Sequence, residues 1–141
     1  MFHGGVWMGL TTKTYQLKLR SMIIVDNKST AGSNANSSAN SGVTMAGNAS
    51  SVFDLGTAAS PGTNLIQGNT NSAQTSGLNV NVAAGVTVSA VGNIFAPNVQ
   101  GANSQGKYQL GMAPCGVSSC NVTTGAGANY RVTSGTLRLA Q

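Results

Sequence analysis

Residues Ser76–Ala96 read SGLNVNVAAGVTVSAVGNIFA. Leu78, Val80 and Val82 alternate with Asn79, Asn81 and Ala83. After Ala84-Gly85 the alternation resumes, with Val86 and Val88 against Thr87 and Ser89. A period of two places the two residue sets on opposite faces of a strand. Gly85 at the break marks a tight turn, an arch or a bulge. The stretch therefore reads as two strands joined at Ala83–Gly85, and it carries no charge.

The rest of the chain extends this pattern. Its 141 residues predict one domain with a modest core. Charged residues are 6% of the chain, against about 25% in an ordinary soluble domain. The polar surface must come from Asn, Ser, Thr and Gln, which hydrogen-bond without mutual repulsion. Gly is abundant at 19 and Pro scarce at 3, a composition for turns and short strands rather than long helices. Short apolar segments recur at Val43–Ala46, Ser51–Leu55, Asn64–Gln67, Gly77–Ala83, Val86–Phe95, Lys107–Met112, Asn121–Thr124, Tyr130–Thr133 and Thr136–Leu139. A spacing of roughly 10 residues belongs to a sandwich, barrel or β-solenoid. The expected fold is all-β, an irregular sandwich or a solenoid-like stack of many short strands. The lack of a strict repeat favours the irregular form.

Thr11–Val25 reads as one strand with Tyr15, Leu17 and Leu19 on one face. It becomes apolar on both faces at Met22-Ile23-Ile24-Val25. Residues 26–42 are a Ser/Asn/Gly-rich stretch with linker composition. The expected organisation is an N-terminal arm over 1–25, a linker over 26–42 and a β body over 43–141. The body is expected to end in a hairpin, with Ser134-Gly135 as a two-residue turn between Tyr130–Thr133 and Thr136–Leu139. That pairing sets Arg131 opposite Arg138. Opposed like charges either splay into water or hold an anion between them.

Catalytic chemistry has little to work with. The acids are Asp26 and Asp54, far apart, and His3 is the one histidine. Acid–base catalysis needs two titratable groups held close together, and no nucleophile elbow, Walker lysine or dinucleotide fingerprint is present. The expectation is no enzyme, no cofactor and no metal. Cys115 and Cys120 stand in APCGVSSCN, a spacing unlike a zinc site. They form either a small disulfide loop or two free thiols, and an extracellular setting favours the disulfide. The net charge of +5 rests on seven cations, four of them within the first 28 residues. This is too sparse for a nucleic-acid stripe but suits an anionic cell-surface or matrix polymer. No run approaches the ~18–20 apolar residues of a membrane helix. The start, MFHGGVWMGL, lacks the basic and long apolar regions of a signal peptide.

Self-assembly is the property that stands out. LNVNVAA and GVTVSAV combine β propensity, no charge and no Pro, the signature of strands that add to one another. No charged residue occurs from Leu55 to Gly106, so charged gatekeepers are missing there. The two windows are either assembly strands or central strands of a sheet. On the assembly reading the contact residues are Leu78, Val80, Val82, Val86 and Val88. Tyr15, Leu17, Leu19, Ile23 and Val25 join them as part of a strand donated to the next subunit.

Ser76–Gly85, SGLNVNVAAG, with GNTNSAQT before it, resembles the repeat units of the secreted Fap-type functional amyloids of bacterial biofilms. The likeness covers some twenty residues. After Gly85 this chain continues VTVSAVGN, where that family carries a Gln-Gln-Asn run. The resemblance implies a secreted, self-assembling β protein. The expected function is a structural subunit of an extracellular filament or biofilm fibre, with other copies of itself as partner. The alternative is a monomeric or trimeric adhesin or virion surface module.

Overall fold

The computed structural model describes residues 5–29, 42–71, 77–95, 120–123, 125–126 and 130–140. Every regular element among them is a strand. Strands β1 (Val6–Gly9), β2 (Gln16–Lys18), β3 (Ile23–Val25) and β4 (Lys28–Ser29) form a first coil. A second coil holds β5 (Val43–Gly47), β6 (Val52–Asp54), β7 (Leu65–Gln67) and β8 (Thr70–Asn71). The third coil holds β9 (Leu78–Val82), β10 (Thr87–Ser89) and β11 (Ile94–Phe95). After the short strands β12 (Cys120–Val122) and β13 (Gly125–Ala126), a fourth coil holds β14 (Tyr130–Ser134) and β15 (Thr136–Ala140).

Each strand pairs in parallel with its equivalent one coil away. The sheets run β1-β5-β9-β14-β13, β12-β15-β10-β6-β2, β11-β7-β3 and β4-β8. The described residues therefore form a parallel β-solenoid of four coils, the solenoid-like form of the expected all-β fold. Among the described residues only β12 on β15 and β13 on β14 run antiparallel, and both lie at the fourth-coil end.

Register turns the two-residue period into columns. Met8, Met45, Val80 and Val132 align on the first sheet, and Leu17, Phe53, Val88 and Leu137 on the second. Ile24, Ile66 and Phe95 align on the third. Most of these side chains are fully buried, and together they form one core. Truncating a fully buried large side chain such as Phe53 costs about 3–5 kcal/mol.

The corners stack as well. Ser21 (φ 54), Thr63 (φ 51) and Gly92 (φ 73) occupy the same corner in three successive coils. Asp26 (φ 54) and Gly68 (φ 64) share the next corner. A left-handed residue turns the chain sharply within one step, and these two corners are made that way. Asn64 and Asn93 follow the first of these corners and point inward as a ladder. The Asn64 amide donates from Nδ2 to Leu19 O (3.2 Å), Leu55 O (3.2 Å) and Asn93 Oδ1 (2.7 Å). Its Oδ1 accepts from the Met22 N–H at 2.9 Å. Asn93 donates to Leu55 O and Ala90 O. These amides satisfy backbone groups that a corner leaves without ladder partners. Asn69 does the same one corner on, donating to Ile24 O at 3.1 Å and accepting from Asn27 Nδ2 at 2.9 Å.

Three expectations are corrected. Residues 6–29 are no separate arm, because β1–β4 pair with β5–β8 as the first coil of the same body. Thr11–Val25 is not one strand: it breaks at Ser21, where the chain turns from the second sheet to the third. The terminal hairpin is absent. Gly135 (φ 84) is a corner, β14 lies on β9 and β15 lies on β10. Residues 30–41 of the expected linker and the segment Lys107–Met112 fall outside the described residues.

Asn64→Ala is expected to lower unfolding stability by about 1–3 kcal/mol, because it removes the acceptor of the Met22 N–H and leaves Leu19 O and Leu55 O only their second donors, Arg20 NH1 and Asn93 Nδ2. Urea denaturation followed by circular dichroism measures this. An effect near the few tenths typical of an exposed Asn would refute the role of the ladder.

Candidate assembly surfaces

The stacked coils decide which of the expected contact residues reach a neighbour. Strand β9 lies between β5 and β14, and β10 lies between β6 and β15. Both edges of each are occupied. Leu78, Val80, Val82 and Val88 are core residues, as is Leu19. Tyr15, Leu17 and Val86 are partly buried against that core, with the Tyr15 ring 6.3 Å from Phe53. The two uncharged windows are thus central strands of the single chain, not free edges. Ile23 remains largely exposed and Val25 is half-buried.

Arg131 and Arg138 do not face each other. Arg131 aligns with Asn79 on the first sheet and Arg138 with Ser89 on the second. Arg138 Nε donates to Asn121 Oδ1 at 3.3 Å across the antiparallel pair β12–β15. The reason for an anion clamp between them, a shared hairpin face, is gone. Cys115 and the side chain of Cys120 lie outside the described residues, and so does their pairing. Among the described residues no group of three His, Cys, Asp or Glu could hold a metal. No helix among them is long and apolar enough to cross a membrane.

A contact that the sequence did not disclose joins Arg20 to Asp54. Arg20 NH2 meets both carboxylate oxygens at 2.7 Å, and NH1 donates to Leu19 O and Asp54 O. Nε donates to Ser60 Oγ at 3.2 Å. The partners are 34 residues apart, close to one coil, and only the coil length would have revealed them. The forked guanidinium suits the planar carboxylate, so the pair ties the first coil to the second. Burial pushes the Asp54 carboxyl upward. The Arg20 hydrogen bonds, the Gly56 N–H and the charges of Arg20 and Lys18 outweigh it, and the carboxyl ionises below its ordinary value.

Charge collects at the two ends of the stack. Lys13, Lys18, Arg20, Asp26 and Lys28 belong to the first coil, and Arg131 and Arg138 to the fourth. The described residues of the third coil carry none, and those of the second carry Asp54. Comparison with protein families, with curated proteins and with solved structures finds no match.

The depressed Asp54 pKa sets a direction with pH. Its contribution is complete above the unfolded value, near 3.8, and is lost as pH falls through the folded one. Both side chains are partly exposed, at 20% and 26%, so the contribution is about 1 kcal/mol. Asp54→Asn is expected to be less stable than the parent at neutral pH and to close that gap between about pH 5 and pH 2. Thermal melts across this range check it; a gap that stays constant with pH refutes it.

Proposed function

We propose that the chain is a structural subunit of an extracellular self-assembling filament or biofilm fibre, joined to its neighbours at the ends of the solenoid. One observation carries the reading. The parallel ladders of the first two sheets run through all four coils and that of the third through three, and among the described residues β1, β2 and β3 are the end strands of their sheets. A further strand adds to such an edge through the backbone bonds that already hold the coils together. The charge-poor composition and the resemblance of Ser76–Gly85 to fibre-forming repeats support the same reading. The mechanism moves from β9 and β10, which are enclosed, to the ends of the stack.

The cations shape how such a fibre forms. Both ends are positive, so subunits meeting end to end repel until the charge is screened or bridged. An acidic matrix polysaccharide supplies the bridging anions, which makes it the natural second partner. A discrete adhesin or virion surface module is the other reading. It is favoured by the antiparallel strands β12 and β13, which end the first two sheets at the fourth coil.

Negative-stain microscopy of the purified chain, at low and raised ionic strength and with alginate as polyanion, tests both. Uniform fibres are expected, longer and more numerous as salt or alginate increases. Arg131→Gln with Arg138→Gln is expected to lower the salt needed. Discrete particles under every condition overturn the fibre reading in favour of the module.

A further inference from the structure

The outer face of the third sheet carries an apolar pattern that the core does not use. Register sets Ile23, Leu65 and Ile94 in one column across β3, β7 and β11. Their sequence neighbours Ile24, Ile66 and Phe95 are buried, so alternation sends this column outward. Ile23 is 71% exposed and Ile94 57%, and Met22 beside Ile23 is 43% exposed. The three strands read IIV, LIQ and IF, with no charged residue. Elsewhere among the described residues the exposed large apolar side chains are Leu10 and Val52, which stand apart from this column. This row of aliphatic side chains, half-buried at Leu65 and exposed at both ends, lies outside the packed core.

We propose that the Ile23–Leu65–Ile94 column is a lateral contact between two copies of this chain, laid face to face. Three features select a second copy as occupant. The side chains repeat at the strand spacing of about 4.8 Å, and an identical ladder matches that rigid repeat rung for rung. The column reads Ile-Leu-Ile in either direction. A two-fold axis at Leu65 therefore sets Ile23 of one copy over Ile94 of the other, the self-complementary arrangement of an isologous contact. Finally, each copy carries a net charge of +5. Two copies meet without like-charge contact on the charge-free strands of this face, whereas cations stand at both ends of the stack.

The size of the patch decides what the contact does. The exposed parts of these side chains amount to roughly 300 Å², at the low end for a functional patch. A stable pair buries about 800 Å² on each partner. An isolated pair is therefore weak, with a dissociation constant on the order of 0.1–1 mM. Its effect multiplies where several solenoids lie in line, so that many columns engage together. The inference shares self-association with the proposed fibre but does not require a fibre.

Sedimentation velocity from about 10 µM to 1 mM tests it, a range that spans the expected dissociation constant. The parent is expected to show a sedimentation coefficient that rises with concentration. Ile23→Lys with Ile94→Lys is expected to stay flat, with an unchanged circular dichroism spectrum. Ile23→Thr with Ile94→Thr keeps the β-branched shape and gives the same loss should the lysine variant misfold. Where fibres form, both variants are expected to leave single fibres intact and abolish their bundling. A parent as flat as the variants, or variants that rise as steeply as the parent, overturns the proposal. A parent that stays monomeric but floats with phosphatidylcholine vesicles gives the face to a lipid surface and also overturns it. Failure of the fibre reading shows separately, as the absence of fibres at any salt concentration.

Discussion

The structure depends on one constraint: each residue lies about 4.8 Å from its equivalent in the next coil. Whatever occupies a position must tolerate a near copy of itself above and below. Aliphatic side chains do so inside, and Asn, Ser and Thr do so at corners and on outer faces. Stacked like charges do not. This accounts for a chain with 6% charged residues that still carries a full complement of polar groups. Where charge does enter a column, it alternates or is diluted. Lys18, Asp54, Ser89 and Arg138 form one column, with opposite signs adjacent and a neutral residue before the last.

The corners carry the second half of the specification. A strand ladder satisfies its own backbone groups, but a corner between two sheets breaks the ladder and exposes carbonyls to the core. Asn64, Asn69 and Asn93 answer this with amides that donate and accept at once. Leu or Val at these positions would fill the space and leave the backbone unsatisfied. The abundance of Asn in the sequence is therefore partly structural.

Much of the inside–outside pattern was legible in the sequence. The alternation set Leu78, Val80, Val82 and Val88 on one face, and Tyr15, Leu17 and Leu19 on another, and both faces turn toward the chain's own core. The partners of the strands were not legible. Gly135 with φ 84 serves a hairpin turn and a solenoid corner equally well, so the local chemistry of Ser134-Gly135 cannot choose between them. The choice rests on columns built by residues some 50 positions away, from Leu78 to Tyr130. The repeat escaped notice for a related reason. Equivalent positions Val6, Val43, Leu78 and Tyr130 are separated by 37, 35 and 52 residues, and the corner residues Ser21, Thr63 and Gly92 share a backbone angle rather than an identity. In the uncharged windows, missing gatekeepers point to a sticky edge. The same absence is what a strand enclosed on both edges shows.

The one-directional stacking of coils also gives the molecule a mechanical character. The first coil stands at one end of the stack and the fourth at the other. Tension applied between them acts along the hydrogen bonds of each ladder, not across the strands. Such a load peels coils one after another from an end rather than shearing the whole body at once, since each coil is held only by its neighbours. A released coil of 35 to 37 residues spans about 120 Å when drawn out. Under strain the body yields in discrete lengths while the remaining coils stay folded, and a slackened coil finds its template still in place on the one below.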